Sequence, residues 1–358
     1  MNRASKKKIL IVKLSAIGDV IHTLPSLNAI RQRYPEAHIT WIVEEAAADF
    51  VKGHKALDRV IVSRRKTWIK NFFSTSCLET IKQIYAFVNK VRDTEYDLVI
   101  DFQTLLKSGM IVFLSRAKLK TGFDKGMDHM EHSYLFLNRR IPPVNMNHHA
   151  VLRSLMLLQA IGIPTKKIVF DLPITCTDRK KAEALLMLNG INGSKPVVVI
   201  NPVATWETKM WNNTKFALLA DRIIKEHHAD VVLTGSKKDF PVIYDIVCRM
   251  KHKAVNLAGK TTLKILAAIF EKADLAVSTD TGPMHVAAAV GTPVVAVFGP
   301  TAPWRTGPFG PGHRIVRAET WCSPCFKRKC KTTDCMREIS VDQVMEAICD
   351  LLLREPLL

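Results

Sequence analysis

Short unbroken apolar runs alternate along this chain with stretches whose apolar residues recur every three or four positions. Residues 8–12, 39–43, 60–62 and 98–100 read as strands covered on both faces, because parallel strands wrapped by helices need no polar side. After the first run, residues 15–18 make a turn, Leu24, Leu27 and Ile30 mark one helix face, and Pro35 punctuates that helix's end. A second series runs through 197–200, 231–234, 275–278 and 294–298, and residues 341–353 carry apolar spacing suited to a helix. Residues 171–196, with Pro173, Gly190, Gly193 and Pro196 around one helical stretch, read as the connection between domains. The pattern predicts an α/β protein of two doubly wound, Rossmann-like domains facing across a cleft, with ligands at the strands' carboxyl ends. The expected division is an N-terminal domain at 1–175 and a C-terminal domain at 176–340. A last helix at 341–358 has packing back toward the first domain as one option.

Composition narrows the class. The 358 residues suit two domains, and 47% hydrophobic content supplies two cores. No apolar run approaches the ~18 residues of a membrane helix. Lys6-Lys7-Lys8 before Ile9-Leu10-Ile11-Val12 resembles the start of a signal peptide, but Lys13 and Asp19 interrupt it, so a cytoplasmic location is expected. The net charge of +19 favours an anionic partner: nucleic acid, membrane, or a phosphorylated or carboxylated substrate. Residues 64–73 interleave cations and aromatics, either as a solvated loop beside a core helix or as a dock for an anionic amphiphile at a bilayer surface. Neither an RNP-type motif nor paired zinc-finger helices are present, so nucleic acid is not expected as a partner.

Candidate chemistry lies at two strand ends. Ser278-Thr279-Asp280-Thr281-Gly282-Pro283-Met284-His285 runs from an apolar strand directly into a helix, with Pro283 placed for the first helical turn. Backbone N–H groups and the positive dipole end of such a helix suit phosphate, so this turn reads as the diphosphate end of a nucleotide-sugar site. The loop after the first strand, Lys13 to Asp19, contains only Gly18, which argues against a nicotinamide or flavin cofactor. Asp19, at a helix start, can cap that helix, act as a general base, or do both. Four of the eight cysteines cluster as Cys322-x2-Cys325-x4-Cys330-x4-Cys335, a set that could hold structural zinc or an iron–sulfur cluster but is more compact than paired zinc doublets. Cys77, Cys176, Cys248 and Cys349 are scattered and read as buried small residues, while His129, His132, His148 and His149 lack ligand-spaced partners and read as ordinary histidines.

The segment Lys-Leu-Ser-Ala-Ile-Gly-Asp-Val-Ile-His-Thr-Leu-Pro, from Lys13 to Pro25, resembles the N-terminal signature of the ADP-heptose:lipopolysaccharide heptosyltransferases, glycosyltransferase family nine. Asp280-Thr281-Gly282-x-x-His285 resembles their C-terminal signature. Trp41-Ile42-Val43-Glu44-Glu45 and Asp101-Phe102-Gln103-Thr104-Leu105-Leu106-Lys107-Ser108 are similar to the heptosyltransferase I branch, which adds the first heptose to the Kdo–lipid A core. The resemblance implies a GT-B fold and an inverting transfer with no cofactor and no required metal. It implies Asp19 as acceptor base and Lys209 as a contact to the donor diphosphate. Thr205, Asp239, Asp280, Thr281, Gly282 and His285 carry over as donor-binding positions, and Ser15, Gly18, Arg64 and Arg65 as acceptor-binding ones. Asp280 is expected to hydrogen-bond sugar hydroxyls, since a carboxylate beside diphosphate would repel it. Thr281 and Gly282 are expected to offer N–H groups to phosphate, and His285 to meet phosphate or brace its helix. Asp239 stands where the family places a glutamate against the nucleoside, and Met130-Glu131 where it has a further acceptor arginine. The implied partners are ADP-heptose, Kdo–lipid A or an already heptosylated lipid, and the anionic cytoplasmic face of the inner membrane. Two alternatives stay open: another nucleotide sugar used for a surface polysaccharide, and a basic nucleic-acid-binding protein with a cysteine-held metal.

Overall fold

The structure, a computed structural model, describes residues 6–72 and 77–352, so Phe73 of the basic segment and the expected helix end at 353–358 lie outside the described residues. The chain divides into two compact units, Met1–Pro173 and Ile174–Leu358. Elements of the first are β1 (Lys8–Val12), α1 (Ile17–Arg33), β2 (His38–Glu44), β3 (Arg59–Ser63), α2 (Arg65–Asn71), α3 (Cys77–Arg92), β4 (Glu95–Asp101), α4 (Leu106–Leu114), β5 (Arg116–Phe123), β6 (Arg139–Ile141) and α5 (Ala150–Ala160). The second contains α6 (Cys176–Leu188), β7 (Val197–Asn201), α7 (Asn213–His227), β8 (Asp230–Leu233), α8 (Phe240–Arg249), β9 (Val255–Asn256) and α9 (Leu263–Glu271). It continues through β10 (Leu275–Thr279), α10 (Gly282–Ala289), β11 (Val294–Phe298), α11 (Pro303–Thr306), β12 (Arg314–Arg317), α12 (Asp334–Arg337) and α13 (Val341–Leu352).

Among the described residues each unit holds one six-stranded sheet, in the orders β3-β2-β1-β4-β5-β6 and β12-β11-β10-β7-β8-β9, with parallel pairing throughout. Counted from its own first strand, each sheet follows the doubly wound order 3-2-1-4-5-6. Strand order reverses between β1 and β4 in one unit and between β7 and β10 in the other, and a crevice opens there at the carboxyl ends.

The first sheet separates two apolar layers. Ile9, Ile11, Trp41 and Ile100 face α1 and α5, while Leu10, Val12, Ile42 and Val99 face Trp68 of α2, Phe87 of α3 and Ile111 of α4. Helix α1 runs through Pro25, although an interior proline costs about 3 kcal/mol. Burial of Val20, Ile21, Leu24, Leu27 and Ile30 outweighs that cost, as tertiary packing generally outweighs propensity. Helix α4 approaches the 3-10 turn His132–Phe136 closely enough that Gly109 is required: a Cβ there would lie 2.9 Å from the Ser133 Cα and 2.6 Å from Phe136 Cδ2.

The second unit repeats the plan. Helix α6 begins with a reciprocal cap between Thr175 and Asp178, and its Arg179 pairs in two-pronged fashion with Glu271 of α9 at 2.7 and 2.8 Å. In helix α13, Val344, Met345, Ala347 and Ile348 belong to the second unit's core with Val295 and Val316. Its apolar stripe is consumed there, against β11, β12 and α7.

Gly109→Ala is expected to destabilise by about 1–3 kcal/mol through overpacking, more than the ~1 kcal/mol that alanine gains in helix propensity. A thermal melt should show the midpoint fall by several degrees, and an unchanged midpoint would contradict the close approach of α4 to the Ser133 backbone.

Candidate functional sites at the two strand-order reversals

The first reversal is built by loops that leave β1 and β4. Gln103, just past β4, accepts hydrogen bonds from the backbone N–H groups of Leu14 (2.9 Å) and Ser15 (3.1 Å), which clamps the β1 loop. Asp101 ends β4 and accepts from the Gln103 N–H (2.9 Å), the Thr104 N–H (3.3 Å) and Ser108 Oγ (3.0 Å). Burial pushes its carboxyl group above the usual carboxylate range against the pull of those donors and of Lys13. Lys13 donates to the Phe102 carbonyl at 3.0 Å. Burial lowers its ammonium pKa, Arg153 and Lys107 add to the effect, and Asp19 and Asp101 oppose it.

Asp19 does not sit at the N-cap. Helix α1 begins at Ile17 rather than after a four-residue turn, and Asp19 occupies its third position, where Oδ2 accepts from the Ala16 N–H at 2.8 Å. That bond satisfies one orphan donor of the helix start and fixes the carboxylate's direction. Asp19 lines a cavity of about 230 Å³ with Lys13, His22, Asp128, His129 and Arg153. The volume lies below the ~300–1,000 Å³ of pockets that enclose whole drug-sized ligands, so it suits one polar fragment of a larger molecule. Gly18 is buried beside it in the first turn of α1. No motif marks Arg153 in the sequence, and His129 reads there as an ordinary histidine, because both come from elements distant from Asp19. Where the family's further acceptor arginine was expected, Glu131 instead accepts from the Leu106 N–H at the start of α4, at 2.6 Å.

Next to this cavity a second polar group gathers around Glu44, the buried end of β2. Lys107 bridges Ser15 Oγ (2.5 Å) and Glu44 Oε1 (3.0 Å), Arg65 reaches the same oxygen at 3.3 Å, and Lys66 stands 4.0 Å from Oε2. Burial would raise the Glu44 carboxyl pKa, but Lys107 and Arg65 win and hold it below its ordinary value. Ser15 and Arg65 are thus joined through two residues not assigned from sequence, Glu44 and Lys107. Arg64 stands apart from them in an exposed pair with Glu45 at 3.2 Å.

The second reversal brings together loops after β7 and β10. Lys209 lies in the 3-10 turn Glu207–Lys209, with Nζ 2.5 Å from Asp280 Oδ2, and Thr301 Oγ donates to the same oxygen at 2.6 Å. Asp280 is 6% exposed, so its carboxylate is held by an ammonium and a hydroxyl away from bulk water. The Lys209 ammonium also stands 4.5 Å from the Trp206 ring centre, with the Arg328 guanidinium 4.8 Å from the same ring. Thr281 occupies the N-cap position of α10 without a side-chain capping bond, Gly282 is its first residue, Pro283 follows in the first turn, and His285 is buried inside it. Thr205 is exposed on the β7 loop. Asp239 folds back on its own turn, where Oδ2 accepts from the Ser236 N–H (2.8 Å) and Oγ (2.6 Å).

Among the described residues no group of three or more His, Cys, Asp or Glu side chains is arranged to hold a metal ion. Cys335 is buried in α12, and burial together with Cys322, Cys325 and Cys330 pushes its thiol up to about 11. Cys330 is exposed, its sulfur accepting from the Thr333 N–H at 3.4 Å. Of the histidines set aside on sequence, His149 caps α5 through Nδ1 and meets the His22 ring at 5.1 Å.

The Glu44 group has a pH signature. Because the folded carboxyl pKa is depressed, its stabilisation is complete above the unfolded value of about 4.3 and is lost as pH falls through the lower folded value. Glu44→Gln should cost about 1–2 kcal/mol in urea unfolding at neutral pH, discounted for the half-exposed Arg65. The gap from wild type should narrow below the unfolded value and close below the folded one; a gap that persists below both would contradict the charge argument.

Comparison with known proteins bears on both sites. A family model described as glycosyltransferase family 9 (heptosyltransferase) matches residues 84–336. Lipopolysaccharide heptosyltransferase 1 of Pseudomonas aeruginosa is 31% identical over 324 residues, covering 90% of this chain and 87% of that protein. Its Escherichia coli K12 counterpart is 29% identical over 325 residues, covering 87% and 93%. The solved E. coli heptosyltransferase WaaC with ADP is 26% identical with a TM-score of 0.76, covering 96% of this chain and 99% of that one. The same enzyme with ADP-2-deoxy-2-fluoro heptose gives a TM-score of 0.74 at 25% identity, covering 96% and 99%. The fold class is the GT-B type, built from two doubly wound α/β domains, and the chain is a transferase that belongs to glycosyltransferase family 9, the heptosyltransferases.

Proposed function

We propose that this enzyme transfers L-glycero-D-manno-heptose from ADP-heptose to a sugar hydroxyl of the lipopolysaccharide inner core, either on Kdo–lipid A or on a heptosylated lipid. The observation that carries this is where the polar residues fall: Asp19 and Lys13 at one strand-order reversal, Lys209 and Asp280 at the other. Support for the donor comes from the solved relative with an ADP-heptose analogue, and for the acceptor class from the relatives' names.

In this reading Asp19 removes the proton of the acceptor hydroxyl as its oxygen attacks the anomeric carbon. The bond from that carbon to the ADP oxygen breaks from the opposite side, which inverts the configuration. The Lys209 ammonium and the first N–H groups of α10 stabilise negative charge gathering on departing ADP. Asp280, paired with Lys209, aims that ammonium, and its burial leaves sugar-hydroxyl contact to whichever carboxylate edge the donor reaches. Arg153 and Lys13 supply positive charge to an acidic acceptor sugar beside Asp19, and the Glu44 group holds Ser15 and Arg65 at the rim. Thr205, Asp239 and His285 complete the donor side, and Gly18 and Arg64 the acceptor side. No helix among the described residues is long and apolar enough to cross a membrane. With a lipid-linked acceptor, we infer a peripheral position for the enzyme on the cytoplasmic face of the inner membrane.

ADP release from ADP-heptose in the presence of Kdo–lipid A tests the proposal. Wild type should turn over, and Asp19→Ala should lower the rate by about 10²–10⁴ while thermal stabilisation by ADP is retained. Near-normal turnover by the variant would remove Asp19 from the base role, and stabilisation by UDP-sugars rather than ADP-sugars would replace the donor.

A further inference from the structure

Three helices of the first unit lie in one layer on one face of the sheet, since Trp68 of α2, Phe87 and Val91 of α3, and Ile111 and Val112 of α4 share one apolar core. Helix α3 is the centre and packs on both neighbours. Trp68 fixes α2 to α3 through its ring contact with Phe87 (5.3 Å) and its Nε1 bond to Gln83 (3.2 Å). With the inward faces satisfied, the outward faces should be polar. They are not. On α3, Leu78, Ile81 and Tyr85 recur at three- and four-residue steps away from the buried residues and are 77%, 47% and 68% exposed. On α4, Leu106, Met110 and Phe113 repeat the spacing at 46%, 46% and 62%. Every fully exposed position of α4 is therefore apolar.

The charges on α2 and α3 are mainly positive, while at the start of α4 Glu131 meets the Leu106 N–H. Lys66, Lys70, Lys82 and Lys90 are exposed on α2 and α3, and Glu79 is the sole acidic residue in the sequence from 64 to 92. Two apolar stripes rimmed by lysines fit a surface that is oily within and anionic above. A second copy of the same face would set lysines against lysines, which disfavours self-association.

We propose that the outward face of the α2–α3–α4 layer is a docking surface for an anionic phospholipid bilayer, with the two stripes entering the headgroup boundary and the lysines meeting lipid phosphates. Tyr85, apolar ring and polar tip together, suits that depth. This deepens the lipid-linked acceptor proposal by naming the face that meets the membrane, yet it can be tested apart from transfer.

Sedimentation of the full chain with vesicles measures it directly. Wild type should bind phosphatidylglycerol-containing vesicles about tenfold more tightly than phosphatidylcholine vesicles, with the preference shrinking at high salt. Ile81→Ser with Tyr85→Ser, Met110→Ser with Phe113→Ser, and Lys70→Glu with Lys82→Glu should each weaken that binding by about tenfold. Their melting temperatures and turnover on a deacylated, soluble acceptor should match wild type. A Tyr85→Trp variant should shift its emission to the blue on anionic vesicles only. Undiminished vesicle binding by the stripe variants, or a wild-type dimer in solution that the stripe variants dissociate, would overturn the proposal. Loss of soluble-acceptor turnover in wild type would instead count against the transferase reading and leave the vesicle result standing on its own.

Discussion

A parallel sheet wrapped on both faces by helices leaves little room for charged side chains along the buried stretch of its central strands. In both units this constraint drives the chemistry to the carboxyl edges. The central strands β7, β10 and β11 are buried at every position. Polar groups begin where the strands end, and they converge where the strand order reverses: Lys13 and Asp101 at the ends of β1 and β4, Asn201 and Asp280 at the ends of β7 and β10. The two loops at each reversal are then held together by side chains. Gln103 and Lys107 do this in the first unit, and Lys209 in the second.

Three buried carboxylates at these edges show different ways to offset desolvation. Asp101 is met by two backbone N–H groups and a hydroxyl, and burial still dominates, raising its pKa. Glu44 is met by charged partners, which outweigh burial and lower it. Asp280 is met by one ammonium and one hydroxyl. The differences follow function in the proposed enzyme. Asp101 is scaffolding behind the cavity, Glu44 orders a cationic rim, and Asp280 holds a lysine whose charge a diphosphate can share.

Much of the fold was legible in the sequence because the central strands are apolar runs that nothing else imitates. Edge strands were not. In β5, Arg116-Ala117-Lys118-Leu119-Lys120-Thr121-Gly122-Phe123 keeps cations along its exposed half, and β9 and β12 are too short to stand out from loops. Asp19 was visible as a residue at a helix start, but whether it caps from outside or from the third position depends on where the helix begins, which one residue of backbone decides. Arg153 and His129 come to the cavity from separate segments, so only the folded chain shows them together with Asp19. The cysteine spacing did not show that packing sends Cys335 inward with Met336 and leaves Cys330 at the surface. The stripes on α3 and α4 have helical periodicity, and spacing alone cannot say that they face outward.

The central claim is that the second reversal seats a nucleoside diphosphate through Lys209 and the start of α10. Calorimetric titration of ADP into wild type and Lys209→Met tests it most directly, since a charge-assisted contact of about 1.5–3 kcal/mol corresponds to about 10–100-fold in affinity. The account predicts a loss of that size with the fold intact. ADP affinity equal in the two proteins would contradict it.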